Sequence, residues 1–294
     1  VADYRGDQAD GLRRLFGREQ TRVVAFTSGR GGVGKTALVA NLGAALASQG
    51  RRVLIVDENT QHNVAAFFGM RSRHDLLQVL DEEIGLDEAL LGVTPGVRVL
   101  PAAKAVKQLG HLDARQQDTL IHSLTGMDQP ADVILVDASP DHPLGFSPFG
   151  LAAHDTVVVI SPSGEDITDA YALIKKVSLG YAHRSFRLLV NKARSAEEAV
   201  AIHRNMARLS HGRGVARLSL AGYVPADDAM RQAARLRQAI AVVLPGSPSG
   251  RACQTLATEL QRWPLPDENA GGLEYFVQQL LHLSQHIDPQ PIYA

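Results

Sequence analysis

The residues best placed to do chemistry are Gly29-Arg30-Gly31-Gly32-Val33-Gly34-Lys35-Thr36. They satisfy the pattern G-x-x-x-x-G-K-[ST], in which glycines let the backbone curl around phosphate, a lysine meets the β- and γ-phosphates and a hydroxyl meets a metal ion. The pattern has false positives when it stands alone, but here its flanks agree with it. The apolar run Arg22 to Thr27 reads as a buried strand, Thr36 to Gln49 carries Ala and Leu at helical spacing, and Gly50 stands where a helix would stop. Strand, glycine loop and helix place backbone N–H groups and a helix N-terminus around an anion. The bland alternative is a glycine-rich turn with a chance lysine. The complete pattern in this setting implies nucleoside triphosphate binding.

Other residues fall into matching roles. Lys35 would reach the β- and γ-phosphates, and Thr36 would set its hydroxyl on Mg²⁺. Asp137 ends the apolar run 132–137, the place of a carboxylate that holds the metal through water. Asp57 ends Val53 to Asp57 and is the natural second carboxylate. Either Asp alone would read as a solvated strand end or a helix cap. Further strand-like runs are Val97 to Pro101, Thr156 to Ile160, Phe186 to Asn191 and the shorter Leu220 to Val224, alternating with helical stretches. Continuous Val/Ile/Leu runs separated by helices imply an α/β fold, a mostly parallel twisted sheet with helices on both faces. Ligands of such sheets sit at the carboxyl ends of the strands. The loop after Thr27, Asp57, Asp137, Asn191 and Pro225 all fall there, which points to one site.

The chain of 294 residues has room for one large α/β domain or two small ones, and its net charge is −1. Its only cysteine, Cys253, excludes an intramolecular disulfide framework and is expected to be a structural thiol. No run approaches the ~18 apolar residues of a membrane span, and the first residues carry no signal-peptide core, so a cytoplasmic location is expected. Eleven histidines form no metal-ligand spacing. Pro and Gly become dense from Trp263-Pro264-Leu265-Pro266, where the core is expected to end. That divides the chain into residues 1–20, a nucleotide-binding domain over 21–262, and a tail over 263–294.

Ser28 to Thr36 resembles the deviant Walker A loop of the MinD/ParA (SIMIBI-class) P-loop ATPases. In that family a second lysine near the loop start reaches the phosphates of a partner subunit. Here the position is Arg30, a planar fork in place of a point charge. Within the family, the segments Asp166 to Lys175, Leu100 to Ala103, Val224 to Ala233, Trp263 to Pro266 and Leu273 to Val277 are most similar to the flagellar-number regulators FlhG/FleN. The resemblance covers nearly the whole chain. It implies an ATP-dependent homodimer using ATP/ADP and Mg²⁺, with Asn191 reading the adenine edge, Pro225 flanking the base, and membrane association. Asp7, Gln8, Ala9, Leu12 and Arg13 lie in a stretch that resembles the segment with which FlhG proteins activate the GTPase FlhF. That gives residues 1–20 an activator role, and the family implies a flagellar transcription activator or a switch-complex component as a further partner.

Several residues depart from the family pattern. Asp-x-Asp after the second strand is replaced by Asp57-Glu58-Asn59, so the carboxylate that orients the attacking water is an amide. Glu58 is adjacent, but neighbours at a strand end point apart, which argues against simple replacement. Ala138-Ser139-Pro140-Asp141-His142-Pro143 stands where a small glycine loop is usual, and Pro140 and Pro143 would stiffen it. Ala37 takes the place of a residue that often bears a hydroxyl. Nucleotide binding is expected to survive these changes and hydrolysis to be weak or absent, which leaves a non-hydrolysing ATP-binding module as the rival reading.

Two surfaces remain open. Leu273, Phe276, Val277, Leu280, Leu281 and Ile287 make an apolar helical stripe that would suit lipid or a protein core, yet no Lys or Arg follows Arg262 to attract anionic lipid. Between Tyr181 and Arg237, eleven Lys/Arg against four acidic residues leave +7. A ParA-like DNA-positioning role would use such a patch, although a solvated helical face is commoner.

Overall fold

Alternation along the first strand sets the architecture. In β1 (Arg22–Thr27), Val23 and Ala25 enter one apolar cluster while Val24 and Phe26 enter another, and all four are fully buried. A strand buried on both faces needs a helical layer on each side. The computed structural model describes residues 21–139, 146–264 and 272–286. The segment carrying Asp7, Gln8, Ala9, Leu12 and Arg13 lies outside them, as do Pro140 and Pro143.

After β1 come α1 (Lys35–Ser48), β2 (Val53–Asp57), the short helices α2 (Val64–Phe67), α3 (Leu76–Leu80) and α4 (Leu86–Ala89), and the hairpin β3 (Leu91–Thr94) and β4 (Val97–Pro101). Next are α5 (Ala114–Thr125), β5 (Val133–Asp137), α6 (Pro148–Ala152), β6 (Asp155–Ile160), α7 (Gly164–Tyr181), β7 (Ser185–Ala193), α8 (Ala196–Gly212) and β8 (Arg217–Pro225). The described residues then add α9 (Asp228–Arg235), α10 (Ile240–Val243), α11 (Pro248–Arg262) and α12 (Leu273–His286). The eight strands form one sheet in the order β3-β4-β2-β5-β1-β6-β7-β8. All pairs are parallel except β3 with β4. The expected α/β sheet is therefore present.

Two departures have local causes. The edge strand Leu91–Thr94 is four residues long, only partly buried and joined to β4 through a turn at Gly96 with φ of 78°, too short a signal beside the long buried runs. It makes the strand of Asn191 the seventh rather than the sixth. β8 spans nine residues rather than five because a register shift between Leu188 and Leu189 of β7 bends the pairing at Gly222, whose φ is 144°. The apolar core also does not stop at Trp263. α12 buries Phe276, Val277, Leu280 and Leu281 in the same cluster as Val23 and Ile134, packing on α5 and α6. The described part of its stripe thus faces the protein's own core, one of the two destinations its pattern allowed, and Ile287 lies outside the described residues. Cys253 lies fully buried in α11, and burial pushes its thiol up to about 12, as a structural thiol requires.

Candidate functional site

β1 delivers the chain into a loop whose glycines have distinct reasons. Gly32 and Gly34 take φ of 87° and 90°, the left-handed region that side chains disfavour. A Cβ on Gly29 would fall 2.3 Å from the Asp169 carbonyl carbon, so only glycine lets the loop lie on α7. Around Gly31 and Gly32 there is open space. α1 begins at Lys35 directly after Gly34 and has no side-chain cap, so its first N–H groups suit an anion. Thr36 and Ala37 stand in the first turn and line the adjoining cleft of about 1090 Å³, with Asn59, His62, Phe67 and Arg235 around it.

Behind the loop, three buried groups share a small volume. Lys35 is ion-paired with Asp137, and both side chains are nearly inaccessible. Asp57 and Asp137 are register partners at the ends of β2 and β5. Burial first, and the Asp137 charge second, raise Asp57 to about 6, although N–H donors from Asn59 and Val64 oppose this. Asn59 occupies the space between the two carboxylates: its Nδ2 donates to Asp57 Oδ1 at 3.0 Å and to Asp137 Oδ2 at 2.8 Å. A carboxylate at position 59 could make neither bond.

Thr36, Asp57 and Asp137 are hard oxygen donors at the head of α1 and the carboxyl ends of adjacent strands. That donor set would suit Mg²⁺ held partly through water, with Lys35 then exchanging Asp137 for phosphate. Thr27 Oγ1, at the end of β1, is a buried oxygen without a hydrogen-bond partner beside this cluster.

Arg30 is half-exposed on the loop and points to the start of α7. It is ion-paired with Glu165, and its Nε lies 3.8 Å from Asp166 and 3.6 Å from Asp169. Asn191 is buried against the loop, its Nδ2 donating to the Val33 carbonyl at 2.8 Å. Pro225 ends β8 opposite Ala193, one strand further out. Lys35, Asn59, Asp57, Asp137, Thr36 and the glycine loop are therefore brought together and Arg30 and Asn191 flank them, whereas Pro225 stays at the end of β8 and does not line the cleft.

Glu58 is a residue whose role its sequence position concealed. It turns inward, accepts from the Ser139 N–H at 3.0 Å and from the Ser147 hydroxyl, and is raised by burial to about 7. It does not take over from the carboxylate missing at 59; it joins β2 to the chain after β5 and to the N-cap of α6. Between Asp57 and Asn59, just after the strand, its sequence position gave no signal of burial.

A glycine loop heading a helix, a lysine behind it and two strand-end carboxylates define a P-loop nucleotide-binding α/β protein. The profile of the AAA domain family matches residues 21–179. The antiactivator FleN of Pseudomonas aeruginosa is 31% identical over 92% of this chain and 97% of its own length. The flagellum site-determining protein YlxH of Helicobacter pylori is 30% identical over 53% of each chain. The septum site-determining protein MinD of Pyrococcus horikoshii, solved with Mg-ADP, shares the fold at a TM-score of 0.59, with 23% identity and coverage of 85% of this chain and 98% of that one. The chain belongs to the MinD/ParA family of P-loop proteins, in the branch that contains FleN.

Proposed function

We propose that this protein is an ATP-dependent dimerising switch that regulates flagellar number or placement, with weak intrinsic hydrolysis of ATP. The observation that carries the reading is the convergence of the loop 29–36, the Lys35–Asp137 pair and Asp57 on one cleft. Its support in relatives is the FleN match along nearly the full chain. Mg²⁺ would supply charge neutralisation for the phosphate chain. Lys35 would hold the β- and γ-phosphates, Thr36, Asp57 and Asp137 would hold the metal, and Arg30 would reach the phosphates of a second copy. Asn191 and Pro225 would stand beside the base. Residues 7–13 would engage an FlhF-like GTPase, and another surface a flagellar transcription activator or switch-complex component. The peripheral membrane contact would use 273–287, which requires α12 to leave the core it now occupies.

A non-hydrolysing ATP-binding module is the second reading. It is favoured by Asn59, which bridges two carboxylates where the family orients water. Phosphate release from Mg-ATP, with binding measured in parallel and Lys35→Ala as control, separates the two. Turnover lost in the variant supports the switch, tight binding without turnover supports the module, and no binding by either protein removes both.

A further inference from the structure

Two carbonyls of the phosphate loop are gripped from outside by consecutive residues of β7. Asn191 Nδ2 donates to the Val33 carbonyl at 2.8 Å, and Lys192 Nζ donates to the Gly32 carbonyl at 3.0 Å. A peptide unit is planar, so fixing these carbonyls also fixes the directions of the Val33 and Gly34 N–H groups, two of the donors a phosphate would meet. The approach is close. A Cβ on Gly34 would lie 2.7 Å from Asn191 Nδ2 and 3.7 Å from Lys192 Cε.

The backbone at Lys192 is built for this reach. Asn191 pairs with Val224 and Ala193 with Pro225, so Lys192 is the extra residue of a β-bulge. Bulges re-aim side chains and gather near functional sites. Lys192 also takes φ of 59°, a left-handed backbone conformation that residues other than glycine disfavour. Its N–H is returned to Asn191 Oδ1 at 3.0 Å, tying the pair together. Glycine would adopt this conformation without strain, so the lysine must contribute something a glycine lacks: its ammonium on the Gly32 carbonyl.

We propose that Asn191 and Lys192 form a two-point clamp that presets the phosphate loop, with Lys192 a positioning residue for the phosphate chain of a nucleoside triphosphate. The proposal rests on the nucleotide-site reading above. Its test uses Lys192→Gly, which relieves the backbone strain, Lys192→Met, which keeps most of the stem and drops the charge, and Lys192→Arg. Affinities for ATP and for inorganic tripolyphosphate, both with Mg²⁺, are measured by calorimetry beside thermal melting. The Gly and Met variants are expected to bind both ligands about fivefold more weakly, the scale of one hydrogen bond, while Arg stays within about twofold of wild type. Lys192→Gly should melt no lower than wild type, because its gain in backbone freedom is offset by the strain relieved. Unchanged affinities in Gly and Met overturn the clamp while leaving the nucleotide site standing. A loss confined to ATP also overturns it, since the residue would then act on base or sugar. Wild-type protein that binds neither ligand removes the nucleotide reading and the clamp together.

Discussion

At the scale of single residues, the site is a problem of buried charge. Asp137 is paired with the buried cation Lys35, whose charge also reaches Glu58, while Asp57 is raised by Asp137, and Asn59 supplies neutral donors where a further carboxylate would repel. Replacing Asn59→Asp should therefore cost the nucleotide-free protein about 2–4 kcal/mol, since two bonds to charged groups are lost and a like charge is added. Urea unfolding without Mg²⁺ checks this. If position 59 orients the attacking water, as the family resemblance implies, the same variant should raise phosphate release from Mg-ATP by about tenfold or more, since a carboxylate would stand there. Glu58 gives a pH signature. Its folded pKa, about 7, lies above the free value of 4.5, so the folded protein holds that proton more tightly. The resulting stability is complete below about pH 4.5 and is lost as pH rises through 7. Gln mimics the protonated acid, so Glu58→Gln should match wild type near pH 5 and exceed it by about 2 kcal/mol at pH 8, read from urea midpoints at both pH values. The sequence placed Lys35 and Thr36 at one end of the sheet through the glycine-loop pattern, and Asp57, Asp137 and Asn191 there because each ends an apolar run. It could not tell that Glu58 turns inward or that Lys192 reaches Gly32, since both depend on a local backbone turn rather than on periodicity.

At the scale of elements, helices decide which surfaces are free. Five strands were legible as buried Val/Ile/Leu runs with ends correct to within a residue, whereas β3 and the full length of β8 depend on pairing partners far along the chain. The destination of α12 was equally closed to sequence reasoning, because an apolar stripe looks the same whether it meets lipid or protein. In the structure Phe276 packs beside Phe149 of α6, ring centroids 6.4 Å apart, and Val277 and Leu280 are fully buried. Phe276→Ala should accordingly cost about 3–5 kcal/mol in unfolding free energy, which a surface helix would not show. A stripe already buried offers little to a bilayer, and α12 adds no Lys or Arg. Nucleotide-free protein is thus expected to stay in the supernatant when sedimented with anionic vesicles, while a Phe276→Ala variant with a loosened α12 should bind them more. Separately, Arg187 stacks over Trp263 at 4.0 Å and pairs with Asp155, which also holds Arg22, so the start of the tail is fixed to the sheet.

At the scale of the whole molecule, the nucleotide-free chain keeps its site cations on its own carboxylates. Lys35 rests on Asp137, and Arg30 rests on Glu165 with Asp166 and Asp169 close by. These two holds differ in strength for a physical reason. Lys35 and Asp137 are buried, where water screens little, whereas Arg30 is 43% exposed and Glu165 80% exposed. Arg30 is consequently the cation more easily surrendered to an external anion. If a second copy presents its phosphates, Arg30 can exchange three nearby carboxylates for them without leaving a buried charge unpaired. Light scattering should then give a monomer mass without nucleotide and a dimer mass with Mg-ATP. Arg30→Ala should stay monomeric at ATP concentrations that saturate it, with affinity for ATP within about threefold of wild type, because the loop glycines and Lys35 are unchanged and the Arg30 side chain rests on Glu165. Lys35→Ala should fail at the earlier step and bind no ATP. An Arg30→Ala protein that still doubles its mass would show that the loop arginine serves its own α7 and not a partner. In that case the exposed ion pair with Glu165 would be the whole of its function, a contact that water and salt screen.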